Sequence, residues 1–163
     1  MIRRKHFPQS QKVVIMSNTL NVFVYGTLRP GDCNYGIFIS DYAHSYVDAK
    51  ADGHALYPGA GYPYMLAEDG STTRGTLVTF TDPDEFVSVI VGLDYLEGFH
   101  GPGSSRNHYD RKIIDVVTDD GDDVSNVYTY IASRHTSKRV REVLTPVAHG
   151  DWLRVIRERH ETR

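Results

Sequence analysis

One cysteine, Cys33, is the only thiol in a chain of 163 residues. An intrachain disulfide and a thiolate zinc cluster are therefore both excluded. A chain so poor in cysteine suits a reducing compartment, and we expect it in the cytoplasm. No apolar run approaches the roughly 18 residues that span a bilayer. The stretch Val13 to Met16 is too short for the core of a secretory signal, despite Arg3, Arg4 and Lys5 before it. We therefore expect no membrane partner. Excess positive charge is missing as well: 18 basic residues against 21 acidic ones leave a net charge of -3, which gives no electrostatic reason to bind nucleic acid or an anionic surface. Neither a Gly-x-Ser-x-Gly elbow nor a His-Glu-x-x-His pair occurs, and the glycine-rich stretch Gly98 to Ser105 lacks the Lys-Ser/Thr of a phosphate loop. The eight histidines are scattered without a helix-face ligand spacing, so no metal is expected. A small neutral-to-anionic ligand, or a protein, remains as partner.

What is there reads as one ordinary domain. Apolar residues make up 40% and charged residues 24%, and a chain of this length buries around 70% of its unfolded surface in a single core. Residues 1–20 have no strand or helix period and no acidic side chain, and are expected to be a flexible tail; residues 21–163 are expected to form the domain. Asn21 to Tyr25 alternates as a strand that ends at Gly26. A short helix is expected within Asn34 to Tyr42. Over Ser45 to Tyr57, broken at Gly53, two extended pieces or one bent strand are expected, and further strands over Tyr64 to Leu66 and Thr73 to Phe80, with a bulge or close approach at Gly75. Tyr109 to Val117 and Val124 to Ile131 read as a hairpin turning at Gly121, and Ser137 to Leu144 and Asp151 to Arg159 as terminal helices. Strands, one central helix, more strands and terminal helices favour an α+β fold over repeated βαβ units.

The best-signalled helix starts at Asp82, an N-cap, with Pro83 in the first helical position and Glu85 in the third. Its apolar stripe runs Phe86, Ile90, Leu93, and four residues further it arrives at Glu97, with Gly98 as a left-handed stop. Burial and the negative end of the helix both raise the pKa of a carboxyl placed there, toward the range of a group that takes a proton and returns it in one turnover. The plain alternative is a solvent-facing Glu in a frayed last turn. The loop Gly26 to Leu28 follows a strand end, where successive backbone N–H groups can converge on an anion or a carbonyl oxygen; such a stretch is also, more simply, a connection. The loop from Gly98 to His108 looks mobile and is a candidate lid, with His100 and His108 as exposed flanks. Cys33 is near enough to the Gly26 loop to be weighed as a nucleophile, against the reading as an idle small thiol. Alternation puts Tyr128 and Tyr130 on one strand face, where core packing is the default.

The run Val24-Tyr25-Gly26-Thr27-Leu28-Arg29-Pro30-Gly31, then Leu93-Asp94-Tyr95-Leu96-Glu97-Gly98, then Tyr109-Asp110-Arg111, resembles the γ-glutamylcyclotransferase-like (AIG2-like) family over about Asn21 to Ile131, and Gly150-Asp151-Trp152 resembles a C-terminal feature of bacterial members. The resemblance implies a small mixed β-barrel flanked by helices and a cavity between the Tyr25 to Leu28 loop and the catalytic Glu. Carried onto this sequence, Glu97 is the general acid/base, Tyr25, Gly26, Thr27 and Leu28 form the substrate cradle, Tyr109 lines the pocket, and Tyr128 matches a substrate-binding position loosely. The implied reaction closes a γ-glutamyl amine or amino-acid derivative to 5-oxoproline and releases the amine. Its nucleophile lies within the substrate, so no cofactor is required. A non-catalytic module that uses the same cavity to bind a small molecule is the competing reading. The sequence leaves the leaving amine and the oligomeric state open.

Overall fold

The computed structural model describes residues 20–163. The expected tail therefore lies outside the described residues, except for Leu20, whose carbonyl accepts a hydrogen bond of 2.9 Å from the Phe80 amide. Five strands and four helices follow in the order β1 (Asn21–Val24), α1 (Tyr35–Phe38), β2 (Ser45–Pro58), β3 (Pro63–Thr79), α2 (Pro83–Glu97), β4 (Tyr109–Thr118), β5 (Asp123–Ala132), α3 (Arg134–Val143) and α4 (Trp152–Glu161). The strands close into a mixed barrel in the order β1-β3-β2-β4-β5, which removes the exposed edges that an open sheet would leave. The closing strand is the shortest. β1 pairs antiparallel with β3 from Asn21–Thr79 to Val24–Thr76 and parallel with β5 at Val22–Tyr128.

Alternation along β1 sends its side chains to two cores. Phe23 and Tyr25 join Ala49, Ala51, Leu56, Met65, Leu77, Val116 and Val127, a set drawn from all five strands together with the residue that follows β1, which forms the barrel interior. Trp152 and Val155 of α4 pack into the same cluster. Val22 and Val24 face the opposite way, into Val78, Phe80, Tyr128 and Tyr130, and α2 covers this layer with Phe86, Val89, Ile90 and Leu93. Burying one such aliphatic or aromatic side chain contributes about 1.5–3 kcal/mol, so the apolar stripe fixes which face of α2 turns inward. Asp82 caps the helix, accepting from the amides of Asp84 (2.9 Å) and Glu85 (3.2 Å). Gly98 ends it with φ +65°.

Two local expectations change. The helix expected over Asn34 to Tyr42 is a single turn, Tyr35–Phe38, after which Tyr42 and Ala43 turn back onto the Ile39 carbonyl. Tyr64 to Leu66 and Thr73 to Phe80 belong to one strand, β3, because both pair with the continuous β2. Their separation in sequence is real but local: between the pairs Asp52–Thr72 and His54–Ala67, β2 has only Gly53 while β3 has Glu68 to Ser71. Of the two readings of Ser45 to Tyr57, the single strand is the one present, with a bulge at Gly53. At Gly75 the expected close approach is present, since an added Cβ would stand 2.5 Å from the Val24 carbonyl and from the Phe23 ring.

Gly150 ties the C-terminal segment to the barrel. Its φ is +64°, its carbonyl accepts from the Arg74 amide at 2.8 Å, and a Cβ there would run into the Thr72 carbonyl. Gly150→Ala is expected to lose about 2–4 kcal/mol of unfolding free energy, read as a lower urea midpoint. A midpoint unchanged from the parent would show that this contact does not restrain the segment.

Candidate active site

The site grows from the C-terminal end of α2. Asp94, one turn before Glu97, accepts 2.6 Å hydrogen bonds from Arg111 Nη1 on β4 and from the Tyr130 hydroxyl on β5. Burial raises the Asp94 carboxyl above its ordinary value, while Tyr130 and Arg111 pull it back. The Arg111 guanidinium lies 5.1 Å from the Phe99 ring centroid and 5.4 Å from that of Tyr128, within cation–π range. The last turn of α2 is therefore fastened to two strands, and Glu97 is carried by a fixed helix end rather than a frayed one.

A second clamp holds the opposing loop. Arg29 is only 6% exposed. Its Nε donates to Thr76 Oγ1 at 3.2 Å and its Nη1 to Asp151 Oδ1 at 2.9 Å. Asp151 also caps α4 through the Leu153 amide, and Trp152 Nε1 reaches Asp32 Oδ2 at 3.2 Å. A buried cation without such partners would cost several kcal/mol, so Arg29 locks the loop's position to β3 and to the start of α4. Within the loop the Arg29 amide donates to the Gly26 carbonyl, forming a β-turn, and Asn34 holds Thr27 by its amide and by its side chain at 2.9 Å each. The backbone N–H groups of Thr27 and Leu28, in the middle of the turn, find no acceptor among the described residues. Gly26 itself does not adopt a positive φ. Its requirement is room, because a Cβ would lie 2.8 Å from the Pro63 ring.

Loop and acid line one cavity of about 370 Å³, with Tyr62, Pro63, His108, Tyr109 and Tyr130 among its other walls. Among the described residues Glu97 has neither a hydrogen bond nor an ion pair, and no fully buried side-chain oxygen is left unpaired. Its carboxylate oxygens therefore open on the cavity. Burial pushes the Glu97 pKa up to about 7, because the charged form is poorly solvated there. The three tyrosines around it are held neutral, Tyr25 and Tyr109 and Tyr130 all being raised by burial first and by the Glu97 charge further down. The Tyr25 hydroxyl donates to the Tyr130 carbonyl at 2.6 Å, and that of Tyr109 to the Pro63 carbonyl at 2.9 Å. Among the described residues no group of three or more His, Cys, Asp or Glu side chains is placed to hold a metal ion.

Of the residues singled out in sequence, Glu97, Tyr25, Gly26, Thr27, Leu28 and Tyr109 line this cavity together. Tyr128 does not: it packs behind the wall, its ring centroid 6.0 Å from that of Phe86. Tyr130, expected in the core, is both buried and a wall residue. Cys33 lines the cavity too, but its thiol is raised by burial and then by Asp32, which keeps it protonated and weakly nucleophilic. The Gly98 to His108 loop is pinned rather than loose. Asn107 is fully buried, accepting from the His100 amide at 2.7 Å and donating to the Gly101 carbonyl at 2.8 Å and to Asp110 at 3.0 Å. His108 accordingly stands in the cavity wall instead of on an exposed flank. The roles of Asp94, Arg29 and Asn107 were not visible in sequence; the one available signal was their place inside or beside the motifs.

The family model described as gamma-glutamyl cyclotransferase, AIG2-like, matches residues 22–154. A gamma-L-glutamyl-butirosin B gamma-glutamyl cyclotransferase from Niallia circulans is 31% identical over 110 residues, 68% of this chain and 66% of that protein, so the match spans just under two thirds of the relative's length. Two solved structures share the fold: an AIG2-like protein from Mus musculus (18% identity, TM-score 0.56, 82% of this chain and 93% of that one) and an uncharacterised protein from Pyrococcus horikoshii (18%, 0.56, 88% and 98%). At these identities the structures establish the architecture.

The raised Glu97 pKa has a stability consequence of definite sign. Between the ordinary value of 4.5 and about 7 the unfolded chain has released a proton that the folded chain retains, so stability falls as pH rises through this window. Replacing Glu97 with Gln removes the penalty. Urea unfolding is expected to show the two proteins alike near pH 4.5, and the Gln variant more stable by on the order of 2 kcal/mol at pH 8. A gap that does not grow with pH would mean that Glu97 is not desolvated.

Proposed function

The chain belongs to the γ-glutamyl cyclotransferase, AIG2-like family, and from that premise we propose that it converts a γ-glutamyl amine or amino-acid derivative to 5-oxoproline and the free amine, with Glu97 as general acid/base. The observation that carries this reading is the presence, in the lining of one cavity, of a carboxyl poised near neutrality and of a turn whose central amides find no acceptor among the described residues.

Each part of the reaction then has a holder. The substrate's α-ammonium gives a proton to the Glu97 carboxylate. The amine so formed attacks the γ-carbonyl carbon, making the ring C–N bond. The bond to the original amide nitrogen breaks as Glu97 returns the proton to it, and the second proton on the ring nitrogen then passes through the regenerated Glu97 carboxylate to the released amine, which departs as an ammonium. No water is consumed, and the nucleophile is tethered to its target, which is the arrangement in which correct folding of the reactant yields the largest rate gains. The Thr27 and Leu28 amides suit the carbonyl oxygen as it gains negative charge, or the substrate's α-carboxylate. Raised hydroxyl pKa values at Tyr25, Tyr109 and Tyr130 keep those groups neutral, so none of them competes with Glu97 for the proton near pH 7.

The test is mass-spectrometric detection of 5-oxoproline from a panel of γ-glutamyl amines and amino acids, with Glu97→Gln alongside. Turnover is expected to fall at least about a hundred-fold in the variant, and kcat/KM of the parent to decline below pH 7 as Glu97 takes up its proton. Unchanged 5-oxoproline release by the folded variant would eliminate Glu97 as the proton carrier. Binding without product across the whole panel would favour the non-catalytic module.

A further inference from the structure

A second cavity, of about 490 Å³, shares Tyr62 and His108 with the first. The partition between them is aromatic. Tyr64 stacks on Tyr109 with ring centroids 5.7 Å apart, and His108 lies edge-on to Tyr62, Tyr64 and Tyr109 at 6.2, 5.8 and 4.8 Å. Tyr62 stands in the turn between β2 and β3, 45% exposed. On the far wall α3 presents Arg139 together with Val140 and Val143. Val143 is 70% exposed, an apolar side chain with little of its surface covered. Arg139 is exposed and, among the described residues, has no carboxylate or hydrogen-bond partner. Its charge nevertheless acts inward: the His108 pKa is lowered by burial first and by His135 and Arg139 after it.

The γ-glutamyl half of any substrate of the proposed reaction is constant, so selectivity must come from contacts with the amine half. A guanidinium with no partner among the described residues, beside the exposed side chain of Val143 and in a cavity that shares Tyr62 and His108 with the reacting one, matches one chemistry well: a carboxylate with an apolar group next to it. Accepting the cyclotransferase reading, on which this rests, we propose that the second cavity receives the leaving-group half of the substrate, and that Arg139 pairs with its carboxylate. The favoured substrates are then γ-glutamyl derivatives of apolar amino acids, in preference to those of uncharged or cationic amines.

Two amides that differ only by that carboxylate test it: γ-glutamyl-leucine and γ-glutamyl-3-methylbutylamine. Binding is measured calorimetrically on the Glu97→Gln protein, which separates recognition from chemistry. The carboxylated amide is expected to bind about ten-fold more tightly. Adding Arg139→Ala should abolish the difference, and Arg139→Lys should keep most of it; since Arg139 is an exposed helix residue, neither change threatens the fold. Equal affinities, no binding of either amide, or a preference that survives Arg139→Ala overturns the subsite. Turnover by the unmutated protein is scored apart from this. If neither amide yields 5-oxoproline while another γ-glutamyl compound of the panel does, only the subsite assignment fails; if no compound of the panel does, the cyclotransferase reading fails and the subsite assignment with it. If both yield it with equal kcat/KM, only the subsite assignment fails.

Discussion

Among the described residues no cation pairs with Glu97 in its cavity, and the desolvation that raises its pKa to about 7 also disfavours any conformation in which it stays there charged. Left to itself such a side chain would swing to solvent, or the helix end would fray. Neither happens because the turn that bears it is fixed from outside by Asp94, which bridges to Arg111 and Tyr130. The bridging pair takes up the local positive charge one turn away, so Arg111 stabilises the helix end without reaching Glu97. An acid held near neutrality thus depends on a neighbouring acid that is fully partnered.

The loop that shares this cavity is held on the same logic with the signs reversed. There a buried cation, Arg29, joins the loop to Thr76 of β3 and to the N-cap of α4, and Trp152 supplies a second contact through Asp32. The C-terminal segment is consequently part of the site's frame although it contributes nothing to the cavity lining. Gly26 and Pro63 show how tight the frame is, since a single added methyl group would push the loop off the turn that faces it. Between these walls neutral tyrosines supply an apolar, hydrogen-bonded lining. Their hydroxyls are committed to backbone or carboxylate acceptors, which limits their competition for the proton on Glu97.

Much of this was legible before any coordinates. The N-cap at Asp82, the stripe Phe86–Ile90–Leu93 and the stop at Gly98 are local and periodic, and local signals survive into the fold because the helix needs only its own backbone and one apolar face. The β1 alternation was equally plain. Less legible were β3, where a polar bulge opposite Gly53 interrupts the pattern without ending the strand, and the Phe99 to His108 loop, whose glycines suggest looseness while one buried asparagine holds it together. Composition cannot reveal such an asparagine, because its partners are two backbone groups of the loop and the Asp110 carboxylate in a specific arrangement.

Sequence by itself determined the helix that ends at Glu97, the strand that runs into Gly26, and, through the family motifs, their partnership in a barrel. Tertiary structure decided the rest: that Tyr130 reaches the cavity while Tyr128 is packed behind it, that Arg29 is a buried clamp, and that α3 brings Arg139 beside His108. The physical reason is range. Caps, stripes and alternation are set by residues within a few positions of one another, whereas burial, the shift of a pKa and the meeting of two loops are set by whatever the closed barrel happens to place within a few ångströms.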